Sequence, residues 1–204
     1  MTKLNCPNCG YALARRFATA KMMTCGSCAT TLFLETDHLR NAGASGEMHD
    51  TPLLFKIGQT VRTGASSFEV MGHARFDYGT GWWDEFFAVA LDGEEVWISV
   101  DEGDIIVQRP LSEQFTPDIT TVPKLGTLFD VRGTRYRVTE NDTATCIAVR
   151  GSFAEVLTLG SSYSYVNCQG EGGRILSGEF STGAPGWYTG SWLDPYAFET
   201  VIEH

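Results

Sequence analysis

The side chains best placed for chemistry are four cysteines near the start, paired as Cys6-Pro-Asn-Cys9 and Cys25-Gly-Ser-Cys28 with fifteen residues between the pairs. Each Cys-x-x-Cys turn aims two sulfurs at one point. Four thiolates at about 2.3 Å suit a tetrahedral zinc ion with no open position, which makes the site structural. Gly10 and Gly26 are expected to give the two knuckles their backbone freedom. Iron is chemically feasible at the same thiolates. A redox pair would need one Cys-x-x-Cys to open a helix within a βαβ unit, and nothing of that kind surrounds either pair. Disulfides need an oxidising compartment. The N-terminal residues carry no apolar run long enough for a signal peptide or a membrane span, so a cytoplasmic, zinc-loaded protein is expected. Cys146 and Cys168 read as buried free thiols.

A second chemistry centres on Glu85. In a strand it falls on the same face as Trp83, Phe87, Val89 and Leu91. A carboxylate there must pair or stay protonated. Arg62, Arg75 or Arg137 would serve as its partner in a structural bridge. The sharper alternative is a ligand or partner site in which Glu85 binds a cation between walls of Trp82, Trp83, Trp97 and Trp187. For acid–base catalysis the histidines are His38, His49, His73 and His204. His73 with Asp77, or Glu85 with Asp84, would form a set, but His73 and Asp77 read as loop residues and Asp84 as solvent-facing. No phosphate loop, Gly-x-Ser-x-Gly elbow or His-Glu-x-x-His helix is present, and no catalytic residue is assigned.

The elements that position these residues read as short strands. Of the formal net charge of −10, residues 1–40 contribute five basic and two acidic side chains, leaving the rest at −13. Such a body repels phosphate backbones and anionic headgroups, which argues against nucleic acid and direct membrane insertion. Breaker-rich stretches at 41–53 and 111–123 read as linkers between a zinc ribbon (1–40), a first β unit (54–110) and a second (124–204). At an offset of 68, Lys56-Ile57-Gly58 lies over Lys124-Leu125-Gly126, Val61 over Phe129, and Phe68-Glu-Val70 over Tyr136-Arg-Val138. The expected fold is all-β, a ribbon followed by two packed, duplicated, small barrel- or sandwich-like units. Residues 82–91, the Asp92-Gly93 turn and residues 94–100 predict a hairpin, with a third strand at 105–107.

The run Trp82-Trp83-Asp84-Glu85-Phe86-Phe87, its Asp-Gly turn, Val96-Trp97-Ile98-Ser99 and Glu102-Gly103 resemble the first repeat of a bacterial family, domain of unknown function 4178. Gly172-Gly173-Arg174 through Phe180, and Pro185-Gly-Trp187-Tyr188-Thr-Gly190-Ser-Trp192, resemble the end of its second repeat. The resemblance implies two β repeats behind a zinc ribbon, in envelope-stress or polyamine-linked gene neighbourhoods, and carries no catalytic residues. The resulting expectation is a non-catalytic adaptor with structural zinc. Its ribbon would dock on a protein through Arg15, Arg16, Phe17, Leu32 and Phe33. Its body would hold a second partner such as the cytosolic face of a membrane protein. The alternative is a sensor or enzyme acting on a cationic small molecule through an acidic, Trp-rich pocket.

Overall fold

Side-chain alternation explains why the chain is all-β. On β8 (Trp82–Ala90), Trp83, Phe87 and Val89 join one apolar cluster while Phe86, Ala88 and Ala90 join another. A period of two that is apolar on both faces fits only a strand covered on both sides. The computed structural model describes residues 4–35, 38–48, 51–64, 66–181 and 184–201, with His38 described in its backbone alone. Among these residues no helix is long and apolar enough to cross a membrane. The helical segments described are two three-residue 3-10 turns, Glu113–Phe115 and Glu171–Gly173.

β7 (Ser66–Asp77), β8, β9 (Glu95–Asp101) and β10 (Asp104–Pro110) form an antiparallel meander. β12 (Thr134–Phe153), β13 (Ser162–Gly170), β14 (Arg174–Phe180) and β15 (Gly186–Leu193) form another. Neither closes on itself. β10 pairs with β15 and β7 with β12, so the eight strands complete one circuit. The sequence leads to an expectation of two small barrels or sandwiches; the halves instead share a single barrel. Four strands leave two edges with unpaired backbone groups, and joining edge to edge satisfies both. Eight strands also leave an interior wide enough for a small ligand.

The same local bonding recurs in each half. Gly58 N–H donates to Val70 O, Val70 N–H to Gln59 O and Gln59 N–H to Lys56 O. Sixty-eight residues later, Gly126 N–H donates to Val138 O, Val138 N–H to Thr127 O and Thr127 N–H to Lys124 O. Each half also has an outer cover. β6 (Thr60–Thr63) and β16 (Phe198–Val201), with Phe55, lie over Phe68, Phe86 and Ile98. β11 (Leu128–Val131), with Leu111 and Ile119, lies over Val138, Leu176 and Trp187. The proline-containing segment after β10 is therefore packed, and Leu111 N–H donates to Trp187 O.

Glycines let the halves meet at the β7–β12 seam. Gly72 and Gly151 are register partners, and a Cβ on Gly151 would fall 2.3 Å from Met71 O. Gly151 also sits at φ 80°, where side chains are strained.

The N-terminal segment carries a hairpin, β1 (Leu4–Asn5) and β2 (Ala12–Leu13), followed by β3 (Met22–Thr24), β4 (Thr30–Glu35) and β5 (His38–Ala44). β3 pairs with Ser152 and Phe153 of β12, which joins this small sheet to a barrel strand. The Phe17 and Phe87 rings lie 5.4 Å apart, and Met22 is fully buried in the same cluster as Phe153. Arg16 reaches Glu69 at 2.7 Å and Arg15 donates to Ala20 O. Leu32 is fully buried in the N-terminal cluster with Cys6, Met23 and Cys25, and Phe33 packs on the barrel cluster. Of the residues expected to dock a partner, Phe17 and Phe33 thus pack on the barrel cluster, Leu32 packs within the N-terminal sheet, and Arg15 and Arg16 are exposed. Asn41–Ala44 of the expected linker completes β5. Ser45 O beyond it accepts from Val149 N–H and from Arg150, whose Nη2 also holds Gly46 O.

Candidate functional site

Two knuckles with one hydrogen-bond pattern bring the cysteines together. Cys6 N–H donates to Tyr11 O and Gly10 N–H to Cys6 O; Cys25 N–H donates to Thr30 O and Ala29 N–H to Cys25 O. Gly10 takes the left-handed conformation at φ 75°, but in the second knuckle that position falls on Ala29 at φ 54° and not on Gly26. The four sulfurs lie within 4.8 Å of one another and form no disulfide. The Cys6–Cys28 and Cys9–Cys25 separations are each 3.7 Å. Four bonds of about 2.3 Å to one ion would place tetrahedral sulfurs about 3.8 Å apart, so the set fits a single thiolate-ligated ion. Thr30 bonds Cys28 Sγ at 3.2 Å, helped by Asn8 at 3.6 Å, and these contacts hold the Cys28 thiol down at about 6. Cys9, despite the Tyr11 backbone hydrogen bond, is pushed up to about 11 by Cys28, by burial and by Cys25 and Cys6, so ionisation is shared unevenly among the sulfurs.

The barrel encloses a cavity of about 340 Å³. Its wall follows from strand alternation: Trp83 and Glu85 from β8, Trp97, Ser99 and Asp101 from β9, Gln108 from β10, Tyr165 and Asn167 from β13, and Ser177 and Glu179 from β14. Seven carboxylate residues line it (Glu85, Asp101, Glu102, Asp104, Glu140, Glu155 and Glu179), and among the described residues no Lys, Arg or His does. Glu85 Oε1 accepts from Trp83 Nε1 at 3.0 Å and from Ser99 Oγ at 2.8 Å. The expected arginine partner is absent, because Arg75 points to the other side of the sheet and binds Asp84. Burial pushes the Glu85 carboxyl up to about 7, against those two hydrogen bonds, with Glu155 and Asp84 adding repulsion. Glu155 is pushed up to about 8 by burial and by Glu179 and Glu95, while Lys21 of β3's approach segment acts against this. Glu179 is solvent-exposed, and the protein crowded around it, together with Glu85, raises its carboxyl to about 7.

Of the five residues expected to form a ligand or partner site, Glu85, Trp83 and Trp97 line this cavity. Trp82 points outward, 46% exposed, with its ring 5.5 Å from the Arg75 guanidinium. Trp187 is buried in the outer cluster of the second half against Phe129 and Phe180. The odd–even alternation that brings Trp83 inward turns Trp82 out, and the same rule separates Trp187 from Tyr188. Sequence reasoning missed Glu155, Glu179, Gln108 and Tyr165. A signal existed for Glu179, which follows Ser177 at a spacing of two on an otherwise apolar strand.

Of the acid–base candidates, Glu85 lines the cavity, whereas His73, Asp77 and Asp84 lie on the outer face. His73 and Asp77 belong to β7 and are not loop residues. His73 is buried, stacked on Phe86 at 4.5 Å, and its Nε2 lies 2.7 Å from Asp84 Oδ1. Arg75, 1% exposed, grips both Asp84 oxygens at 2.8 and 3.1 Å and donates to Thr51 Oγ1. Burial alone would raise the Asp84 carboxyl, but His73 and Arg75 overrule it and hold it below the usual range. This is a structural clamp: a buried guanidinium fixes strand β8 to the segment covering it. His49 and His204 lie outside the described residues. Cys146 and Cys168 are buried in separate clusters, with thiols pushed up to about 12 by burial.

A family model described as "Domain of unknown function (DUF4178)" matches residues 56–195, a span containing every barrel strand and none of the four clustered cysteines. No curated protein and no solved structure matches the chain.

Proposed function

This chain belongs to the DUF4178 family, and on that premise we propose that the barrel built by the matched span is a non-catalytic receptor for a small organic cation. The observation that carries the reading is the cavity wall, which among the described residues holds seven carboxylate residues, seven aromatic ones and no basic side chain. Of the seven, Glu85 and Glu155 are partly buried while Asp101, Glu102, Asp104, Glu140 and Glu179 are exposed; a carboxylate buried without a counter-charge costs free energy, and such groups gather at functional sites. Aromatic faces beside them suit a cation stripped of water. A divalent metal is the poorer fit. Among the described residues only the cysteine group brings three or more ligand atoms within 4.8 Å of one another, whereas these carboxylates are spread along the barrel.

In this reading the cysteine centre is a structural zinc ribbon that braces β12 and packs beside the cavity. The barrel arises by duplication of a five-strand unit, a reading supported by the matched hydrogen bonds 68 residues apart. Binding of an amine would agree with the polyamine-linked setting that the family resemblance implies. A second reading, the protein adaptor, is favoured by β11, which among the described residues pairs with β12 alone; Leu128 at its start is 47% exposed and Leu125 in the turn before it 62%. A partner there would report barrel occupancy to an envelope-stress system.

Thermal-shift and calorimetric titration of the metal-loaded protein against aliphatic amines, guanidinium compounds, quaternary ammonium ions and carboxylates tests the receptor reading. Cations are expected to raise Tm and to lose that effect in Glu85→Gln with Glu179→Gln. No response to any cation would end it.

A further inference from the structure

We infer that the cavity selects cations that still carry N–H groups, and that Gln108 is the acceptor that enforces the choice. The inference rests on the receptor reading above. An aromatic, acidic box by itself favours any cation, including fully alkylated ones. What narrows the choice here is the direction of the hydrogen bonds around the wall.

Gln108 Nε2 donates to Ser99 Oγ at 3.3 Å, and the Ser99 hydroxyl donates onward to Glu85 Oε1. The Ser99 proton is committed to the carboxylate, so its oxygen must accept, and this fixes which end of the Gln108 amide faces it. The other end, Oε1, is buried with no partner in a side chain only 8% exposed. An unsatisfied buried acceptor costs about 1–3 kcal/mol, and the missing partner is a donor. Trp83 Nε1 likewise spends its proton on Glu85. On the opposite half the pattern repeats in kind: Tyr165 Oη and Asn167 Nδ2 both donate to Glu140 at 2.9 Å, and Ser177 Oγ donates to Asn167 Oδ1 at 2.8 Å. Trp83, Ser99, Tyr165 and Asn167 thus give their protons to the protein's own carboxylates, and Ser177 and Gln108 give theirs to neighbouring side-chain oxygens. Acceptors are left over, and the complement is an ammonium or guanidinium group with hydrogens to give.

The test is calorimetry on the metal-loaded full chain with linear primary α,ω-diamines and with bis-trimethylammonium compounds of the same chain lengths. Wild type and Gln108→Met, which keeps the side-chain length without hydrogen bonding, are compared, with thermal unfolding as the check on folding. The diamines are expected to bind about tenfold or more tighter than their alkylated counterparts, and Gln108→Met is expected to narrow that ratio several-fold. Equal or tighter binding of the quaternary compounds overturns the inference and leaves the receptor reading standing. A diamine preference unchanged in Gln108→Met overturns the role of Gln108. Failure of both compound classes to bind ends the receptor reading and this inference with it.

Discussion

Replacing Glu85 with glutamine should make the ligand-free protein more stable, by a margin that opens as pH rises from about 4.5 to about 7. Glutamine keeps an oxygen where Trp83 Nε1 and Ser99 Oγ donate, so shape and both hydrogen bonds survive while the charge goes. The Glu85 carboxyl rises from 4.5 to about 7 on folding because burial disfavours its ionised form. Its favourable contribution is therefore fully present below pH 4.5, falls as pH climbs through 7, and is gone above. The gap corresponds to about 3 kcal/mol. The variant should then match wild type near pH 4.5 and exceed it by about 3 kcal/mol at pH 8.5. In a chain of this size that is about 6–12 °C in Tm. Thermal unfolding of the metal-loaded protein by circular dichroism at the two pH values reads it out. The same Tm difference at both pH values, or a loss at pH 8.5, would refute the claim that this carboxylate sits uncompensated in the barrel.

Asp84→Ala strands the Arg75 guanidinium, already short of a partner at Nη1, and should cost about 3–5 kcal/mol in urea unfolding; a change under 1 kcal/mol would mean that the clamp is not structural. Ala29→Gly relieves a left-handed alanine and should stabilise by up to about 1 kcal/mol, visible as slower metal loss to a chelator. Chelation itself should release one metal ion per chain, identifiable by elemental analysis. It should also disturb near-ultraviolet dichroism from the Phe87–Trp97–Phe153 stack, because Phe17 and Met22 leave that cluster. An unchanged spectrum would show that the ribbon does not brace the barrel.

Spacing alone settled which cysteines converge, since a Cys-x-x-Cys turn is a local object whose geometry neighbouring residues impose. Alternation likewise determined the β8–β9–β10 hairpins, and it placed Glu85 on a face with Trp83. The offset of 68 marked the turns that prove to share their hydrogen bonds. What lay beyond the sequence was everything decided by edges meeting edges. Whether four strands close on themselves or on another four depends on twist and on glycine pairs such as Gly72 and Gly151, whose closeness is 79 residues long in sequence. That closure placed Glu85, Glu155 and Glu179 around one cavity and turned Trp82 and Trp187 out of it. It also gave Arg75 to Asp84 rather than Glu85. An ion pair is a contest among all acceptors within reach, and reach is set by tertiary structure.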